Sequence, residues 1–145
     1  MVYKDYIRIH YRAVKKPLPE LKKTFEAELS FFKKNIKKDF IVLDVGCVFG
    51  RPTIQLAPFV KTIIGIDHNQ NMINIAIKKS KKIKNIEFLN RDGLKIKLPS
   101  NSFDLAYSTY NVLGWDIKTS KRQRFINEMV RVVKENSKII NITWK

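Results

Sequence analysis

The sequence predicts an α/β fold around a mainly parallel sheet, and two observations support this prediction. From residue 40 onward, short apolar runs alternate with amphipathic stretches, as in βαβ units. The apolar runs are nearly continuous, as expected for strands covered on both faces. The chain has 145 residues, 44% of them hydrophobic, which suits one core better than two. We therefore predict a single domain, with an N-terminal helical segment over residues 1–39 and an α/β core over residues 40–145.

The first predicted element is a helix that opens at Pro17 and Pro19 and closes at the Lys37-Lys38-Asp39 run. Its apolar residues recur every three or four positions, which is the spacing of one helix face. These residues are Leu18, Leu21, Phe25, Leu29, Phe32 and Ile36.

Five strands and three helices are predicted in the α/β core. The strands are Phe40–Val45, Thr62–Asp67, Ile86–Asn90, Phe103–Ser108 and Lys138–Thr143, and the helices are Arg51–Ala57, Asn71–Lys82 and Ser120–Lys134. The last helix has one apolar face, formed by Phe125, Met129, Val132 and Val133. The segment between the third and fourth strands contains Leu94, Ile96, Leu98 and Pro99 and is too short for a helix.

The charge of the chain is strongly positive and spread along its length. Lysine and arginine number 29 against 13 aspartates and glutamates, which gives a net charge of +16. Two interpretations stay open, attraction to a polyanion such as RNA or a lysine-rich composition without a binding role. The candidate RNA-binding residues are Lys78, Lys79, Lys81 and Lys82. The alternative is that these lysines only solvate the far end of a helix whose apolar face is Met72, Ile75 and Ala76.

The chain has one cysteine, Cys47, so it can form neither an internal disulfide nor a cysteine-rich metal site. Its longest apolar runs are far shorter than the roughly 20 residues of a membrane span, and the N-terminus has no apolar signal core. We expect a cytoplasmic protein with no metal site and no membrane partner.

Aspartates stand at or just after the carboxyl ends of three predicted strands. Asp44 precedes a turn with Gly46 and Gly50, and such glycines let a backbone bend sharply and approach a ligand. Asp67 follows Asp44 by 23 residues, close to the ~20-residue spacing at which an acidic side chain meets ribose hydroxyls. Asp92 follows the third strand. One such aspartate is more often a turn or cap residue, but three in register predict a ligand site.

With these residues in place, the segment over residues 40–145 resembles the class I S-adenosylmethionine-dependent methyltransferases. The similar stretches are Val42–Cys47 in the glycine-rich first motif, Ile64–Asp67 in the second, Arg91–Gly93 and Leu98–Leu105 around the third and fourth strands, and Arg131–Lys134 before the fifth. The resemblance implies a three-layer Rossmann-like fold with strand order 3-2-1-4-5 and S-adenosylmethionine as cofactor. The family's sheet normally has two further strands, so the resemblance is to a short or truncated member.

The resemblance also implies roles for single residues. Gly46 and Gly50 would bend the loop around the methionine part of the cofactor, and Asp44 would orient its ammonium group. Asp67 would accept from the ribose hydroxyls, and Asp92 from the adenine amino group. The other cofactor-binding candidates are Cys47, His68, Gly93 and Ser108. For His68 we favour a partly exposed position after the strand over a ring stacked beside the adenine.

Val48 and Phe49 depart from both nucleotide-binding patterns. Val48 stands where a middle glycine is usual, which argues against a dinucleotide-binding dehydrogenase. It also departs from the methyltransferase pattern, because a valine there can narrow the loop and weaken cofactor binding.

Residues past the fourth strand are candidates for acceptor contact, because family members place such residues there. They are Tyr110, Asn111 and Trp115, with Tyr6 and Tyr11 as candidate lids from the N-terminal segment. Core packing is an equal alternative for Tyr110 and Trp115.

Three functions stay open, and we favour a methyltransferase with a small-molecule acceptor. The positive charge favours an RNA methyltransferase, but the chain lacks the Asn-Pro-Pro-Tyr type of motif that base amino-group methyltransferases carry. A non-catalytic binding module is suggested by Val48 and the missing strands. No catalytic residue is assigned, and the position of Cys47 in the cofactor loop argues against a covalent cysteine mechanism. The apolar fifth strand predicts self-association or a partner at that edge.

Overall fold

The computed structural model describes residues 11–12, 15–109 and 119–142. The chain divides into two compact units, with the boundary between Asn35 and Ile36. The boundary predicted between the helical segment and the core lies four residues further on. That the two segments form a single domain stays a prediction.

The first unit contains helix α1, Pro19–Asn35. Pro19 takes the first helical position, where its missing N–H costs no hydrogen bond. The buried residues Phe25, Glu28 and Phe32 are three and four positions apart and so share one face. Leu18 was expected in this apolar stripe, but it precedes the helix and is 71% exposed, so that part of the prediction was wrong.

The second unit is built on a parallel sheet of five strands in the order β3-β2-β1-β4-β5. The strands are β1 Ile41–Val45, β2 Thr62–Asp67, β3 Ile86–Asn90, β4 Phe103–Ser108 and β5 Val133–Asn141. This arrangement confirms the predicted fold class and strand order. Because β1 pairs with β2 on one side and β4 on the other, the loop after β1 emerges at the middle of the sheet.

Three helices accompany the sheet and cover both of its faces. They are α2 Arg51–Leu56, which continues into a 3-10 turn at Ala57–Phe59, α3 Gln70–Ser80 and α4 Thr119–Val132. Leu43 and Val45 of β1 pack in one cluster with Phe125 and Met129 of α4. Phe88 of β3 packs in a second cluster with Ile73 and Ala76 of α3. Since Leu89 belongs to the first cluster and successive strand residues alternate, the clusters lie on opposite faces.

Strand β3 is less buried than expected, because it lies at one edge of the sheet. Only Phe88 is buried among its five residues, so β3 is not covered on both faces. In α3 the buried residues are Met72, Ile73, Ala76 and Ser80, whereas Ile75 of the expected face is half-buried.

The junction between α4 and β5 differs most from the prediction. The helix ends at Val132 rather than Lys134, because the amides of Asn101 and Ser102 donate to the carbonyls of Arg131 and Val132. The strand begins at Val133, which pairs with Phe103, rather than at Lys138. The pairing is then irregular, and the ladder resumes where Leu105 faces Lys138. The predicted start of the strand, Lys138, is therefore the start of the regularly paired part of β5. The predicted end, residue 143, lies outside the described residues.

Within the described ranges, no helix combines the length and the apolar character needed to cross a membrane.

Candidate functional site

The candidate site lies at the carboxyl edge of the sheet, where the loops after β1 and β3 both attach to the end of β2. The amides of Gly46 and Cys47 donate to the carbonyl of Ile66 at 2.8 and 2.9 Å. On the other side, the amide of Arg91 donates to the carbonyl of Asp67 at 3.0 Å. The register of the parallel strands therefore brings the three loops together at the edge where α/β sheets bind ligands.

The loop after β1 turns through three residues with positive φ. These are Gly46 at 81°, Val48 at 51° and Gly50 at 72°. Gly50 also leaves no space for a side chain, since a Cβ there would lie 2.5 Å from Cζ of Phe88. Val48 adopts the left-handed conformation that a glycine adopts at no steric cost. The centre of the loop therefore has a backbone conformation that favours glycine, although the residue there is the β-branched Val48.

Asp67 connects this loop to the start of α3. Its Oδ2 accepts the amide of Val48 at 3.1 Å, and its Oδ1 accepts the amide of Asn69 at 2.8 Å. Asp67 is only 7% exposed. A carboxylate oxygen has two lone pairs, so each oxygen keeps capacity for a second donor such as a hydroxyl. The side chain of His68 is 73% exposed, with Nδ1 3.7 Å from Oδ1 of Asp67, in line with the exposed position we favoured.

Asp44 is wholly buried and accepts two side-chain hydroxyls. Its Oδ2 accepts Oγ1 of Thr53 at 2.6 Å and the phenol of Tyr107 at 2.9 Å. Asp44 faces Tyr107 directly in the β1–β4 pairing. Burial, together with the negative charge of Asp44, raises the pKa of Tyr107 well above its ordinary value. The phenol therefore stays protonated and acts as a donor.

Thr53 and Tyr107 were not among the predicted site residues. Their contact with Asp44 depends on the register of β1 against β4 and on where α2 packs, and neither is visible in a single sequence. The one available signal was a hydroxyl-bearing tyrosine at a buried position of β4.

Cys47 is fully buried in the cluster beneath α3. Burial, reinforced by the negative charges of Asp44 and Asp67, raises the pKa of its thiol well above the ordinary value. The nucleophilic form of cysteine is the thiolate, so this side chain is unsuited to attack a substrate. The geometry therefore supports the argument against a covalent cysteine mechanism.

Asp92, Gly93 and Ser108 each have a structural role. Oδ1 of the exposed Asp92 accepts the amide of Leu94 at 2.8 Å and so forms a turn. At Gly93 the place of a side chain is taken by the ring of Phe125. Ser108 donates to Oδ1 of Asn141 at 2.6 Å and links β4 to β5. A contact between these residues and a cofactor stays a prediction.

The candidates for acceptor contact are not placed by the structure. Tyr110, Asn111, Trp115 and Tyr6 lie outside the described residues. Tyr11 is described and half-buried, but it belongs to the unit that ends at Asn35. Among the residues that the structure describes, no group of three or more histidines, cysteines or acidic residues is arranged to hold a metal ion.

Comparison with known proteins identifies the family. A family model described as a methyltransferase domain matches residues 42–136, well over half of the chain. The chain belongs to this methyltransferase-domain family. The resemblance drawn from the motifs is thereby confirmed.

Individual relatives agree with this assignment of the methyltransferase domain. A demethylmenaquinone methyltransferase of Bacillus licheniformis is 30% identical over 110 residues, which are 73% of this chain and 45% of the relative. The crystal structure of a SAM-dependent methyltransferase from Aquifex aeolicus superposes with a TM-score of 0.70 at 28% identity, covering 80% of this chain and 63% of that one.

A third similar structure covers a larger share of the chain. The Haemonchus contortus phosphoethanolamine N-methyltransferase 1, solved with phosphoethanolamine and S-adenosylhomocysteine, covers 97% of this chain and 33% of its own. Its TM-score is 0.71 at 15% identity, which shows a shared fold. The chain spans less than half the length of the first curated relatives it matches.

Proposed function

We propose that this domain binds S-adenosylmethionine at the carboxyl edge of the sheet and transfers its methyl group to a small-molecule acceptor. The observation that carries the proposal is the position of Asp67 at the junction of the β1 loop, the end of β2 and the start of α3. A carboxylate at this junction suits the two hydroxyls of a ribose.

The residues at this edge fit the chemistry of the cofactor. S-adenosylmethionine carries a cationic sulfonium and an ammonium group, and carboxylates are the side chains that favour cations. Asp67 would hold the ribose and Asp92 the adenine amino group, while the buried Asp44, whose Oδ2 already accepts two hydroxyls, would attract the ammonium group through its negative charge. The left-handed turns at Gly46 and Gly50 support a close approach of the loop to the methionine part.

Methyl transfer requires these residues mainly to hold two reactants in line. If bound, the cofactor would supply a methyl group from its sulfonium sulfur: the electrons of the broken carbon–sulfur bond would stay on sulfur, the acceptor would provide the electron pair of the new bond, and any proton that the acceptor loses would pass to water. Cys47 takes no part as a nucleophile, because its thiol is buried and its pKa is raised.

The name of the Bacillus relative supports a small-molecule acceptor, since demethylmenaquinone is a small organic compound. The charge of the chain supports RNA as the alternative acceptor.

Calorimetry with S-adenosylmethionine and S-adenosylhomocysteine tests the cofactor. We expect both to bind, and Asp67→Asn to weaken both by about tenfold to a hundredfold, since it removes a charge-assisted hydrogen bond worth about 1.5–3 kcal/mol. The control, Asp39→Asn, changes the same charge in an exposed loop at the opposite edge and should leave binding unchanged. If the wild-type protein binds neither compound at millimolar concentration, the cofactor assignment is wrong and a non-catalytic binding module is favoured.

Incubation of the protein and S-adenosylmethionine, labelled on its methyl group, with a cell extract tests the acceptor. The small-molecule and RNA fractions are then counted separately. Label in the small-molecule fraction supports the proposal, whereas label in RNA would establish the alternative. Cofactor binding without any transfer would favour the non-catalytic module.

A further inference from the structure

The connection between β3 and β4, residues 91–102, forms neither a helix nor a strand. The structure describes all of it, and its one regular feature is an isolated antiparallel bridge between Asp92 and Lys95. Lys97 has a positive φ of 52°, a conformation that costs energy for a residue with a side chain and persists only where the surroundings hold it. We call residues 91–102 the β3–β4 segment, and its shape has to be held by other elements.

Helix α4 holds the β3–β4 segment through three charged side chains, which we call the polar stripe. They are Arg124, Glu128 and Arg131. Because they are four and three positions apart, they lie on one face of the helix. The Nε of Arg124 donates to the carbonyl of Leu94 at 2.9 Å, and Oε2 of Glu128 accepts the amide of Ile96 at 2.8 Å. The polar stripe therefore binds the backbone of the segment as well as its side chains.

Glu128 and Arg131 are also bonded to each other. The Nε of Arg131 lies 2.7 Å from Oε1 of Glu128, and this hydrogen bond lowers the pKa of Glu128 below its ordinary value although partial burial opposes it. Glu128 is therefore ionised at neutral pH, and a charged acceptor binds the amide of Ile96 more strongly than a neutral one. The Nη1 of Arg131 donates to the carbonyl of Leu98 at 2.9 Å. The polar stripe thus fixes backbone groups on both sides of Lys97.

Asp92 is tied to the residue that Arg124 holds. Its Oδ1 accepts the amide of Leu94 at 2.8 Å, and the carbonyl of the same Leu94 accepts Nε of Arg124. The neighbouring Gly93 lies against the ring of Phe125, so α4 also contacts this turn directly. The direction of the Asp92 carboxylate therefore depends on α4 as well as on β3.

Stability alone gives little reason for the contact of Arg124. Both Arg124 and Asp92 are exposed, and an exposed side chain gains little from a hydrogen bond that water can replace. The buried Ile96 already anchors the β3–β4 segment in the cluster that contains Phe125 and Met129. What the contact of Arg124 does fix is the direction in which the turn at Asp92 faces.

We propose that the polar stripe positions Asp92 to accept the adenine amino group and so determines the selectivity of the site for adenine, which rests on the proposed function because that function assigns the adenine to Asp92. A carboxylate accepts a hydrogen bond from an amino group but repels a carbonyl oxygen. Hydrogen bonds depend on distance and angle, so a turn that is no longer held loses this selectivity while the fold persists. Arg124, Glu128 and Arg131 are positioning residues that act through Asp92.

Calorimetry with S-adenosylhomocysteine and S-inosylhomocysteine tests the proposal. The two compounds differ in the base, where an oxygen replaces the amino group. We expect the wild-type protein to bind the adenine compound about tenfold to a hundredfold more tightly, and Asp92→Ala to bring this ratio close to one. The ratio of the two affinities is the readout, because a general loss of folded protein lowers both affinities alike.

Arg124 and Glu128 are changed separately. Arg124→Ala removes the bond to Leu94 at an exposed helix position where alanine is well tolerated, and Glu128→Ala removes the bond to Ile96. We expect each variant to lower the ratio of affinities about threefold to tenfold. Arg124→Lys and Glu128→Gln should retain most of the ratio, since a lysine can still donate to a carbonyl and a glutamine can still accept from an amide.

Two control variants match these changes in chemistry but not in place. Arg122→Ala removes the same charge from an exposed position of α4, and Arg122 forms no hydrogen bond with the fully described residues 91–102. Asp104→Ala removes a carboxylate that, like Glu128, accepts a backbone amide and a basic side chain, but at the amino-terminal edge of the sheet. Both controls should keep the wild-type ratio, even where Asp104→Ala lowers stability.

Hydrogen exchange in the ligand-free protein gives a second readout. The amides of Leu94 and Ile96 should exchange faster in Arg124→Ala and Glu128→Ala than in the wild type, because local opening of the β3–β4 segment costs less once it is not held. Arg122→Ala should leave their exchange unchanged.

The outcomes separate this proposal from the proposed function. If the wild-type protein binds neither compound, the cofactor assignment is wrong and the role of the polar stripe falls with it. Equal binding of both compounds would leave cofactor binding in place but show that Asp92 does not select adenine. If the wild type is selective and both Arg124→Ala and Glu128→Ala keep its ratio, the polar stripe supports the fold alone, and the positioning role is overturned.

Discussion

At the scale of single residues, Val48 carries the largest local conformational cost in the candidate site. A β-branched residue at a φ of 51° is strained by about 1–3 kcal/mol, whereas glycine adopts this conformation freely. We predict that Val48→Gly raises the free energy of unfolding by about 1 kcal/mol, since the relief exceeds the ~0.5–1 kcal/mol entropic cost of a glycine. Val48→Ala keeps a Cβ and should gain less. Urea unfolding measures both, and a loss of stability in Val48→Gly would contradict the idea of strain.

Tyr107 is the second residue for which the structure makes a specific prediction. Its phenol donates to the buried carboxylate of Asp44, and a hydrogen bond to a charged group contributes about 1.5–3 kcal/mol. Tyr107→Phe should lower the free energy of unfolding by that amount. Ser108→Ala, which removes the bond to the neutral Asn141, should cost only about 0.5–1.5 kcal/mol. If both variants lower the free energy of unfolding by the same amount, the hydrogen bond from Tyr107 to Asp44 is no stronger than a bond between neutral groups.

These two residues also show what the sequence could and could not predict of the site. The turn at Gly46 and Gly50 and the strand-end position of Asp67 follow from the motif itself, because sharp turns and strand ends are local features. The contact between Tyr107 and Asp44 joins residues 63 positions apart, so it depends on strand register. The sequence indicates that Val48 is unusual at this position, but only the structure shows that its backbone still adopts a positive φ of 51°.

At the scale of elements, Asp104 joins β1, β4 and β5 at the amino-terminal edge. Its Oδ2 accepts the amide of Ile41 at 2.8 Å, and its Oδ1 accepts the ammonium group of Lys134 at 2.7 Å. Partial burial acts to raise the pKa of Asp104, but the hydrogen bonds from Ile41 and Lys134 outweigh it and lower that pKa below its usual value. This one carboxylate therefore holds three strands in place while it is ionised.

The lowered pKa of Asp104 gives the stability of the sheet a defined pH dependence. A carboxyl group with a depressed pKa in the folded state stabilises fully above its unfolded pKa of about 4, and this stabilisation is lost as the pH falls through the folded value. We predict that Asp104→Asn lowers the free energy of unfolding by about 1–2 kcal/mol at neutral pH, with the difference shrinking toward about pH 2. Urea unfolding across this range tests it, with the exposed Asp39→Asn as the control. A difference independent of pH would contradict an ionic role.

The elements themselves were predictable wherever apolar patterning alone decides them. The bounds of β2, β3 and β4 agree with the prediction, since each is a short apolar run between turn residues. The α4–β5 junction was not predictable, because the helix is ended by amides of Asn101 and Ser102, about 30 residues earlier in the chain.

At the scale of the whole chain, the parallel sheet brings together residues that are far apart in the sequence. Asp44, Asp67 and Asp92 stand at or just after the carboxyl ends of β1, β2 and β3. A parallel sheet sends all of its strand ends of one kind to the same edge. The three aspartates therefore share one edge because of the sheet topology and not because they are close in the sequence.

The exposed edge of β5 leads to a prediction about association. Among the described residues, β5 pairs on one side only, with β4, and its Ile139 and Ile140 are half-buried. Backbone groups at such an edge can pair with a second chain, and the apolar side chains favour this contact. The net charge of +16 opposes contact between copies, and salt at 0.1 M screens this repulsion between charges more than about 10 Å apart. We therefore predict self-association that increases as the ionic strength rises.

Sedimentation velocity at salt concentrations from about 0.05 to 0.5 M tests this prediction, because the screening length shortens over that range. Ile140→Lys places a charge on the edge strand and should keep the protein monomeric at every salt concentration. Val130→Lys adds the same charge at an exposed position of α4 and should associate like the wild type, because it leaves the strand edge intact. If the wild-type protein is monomeric even when its charge is screened, the edge does not pair between copies, and another part of the chain is the better candidate to cover it.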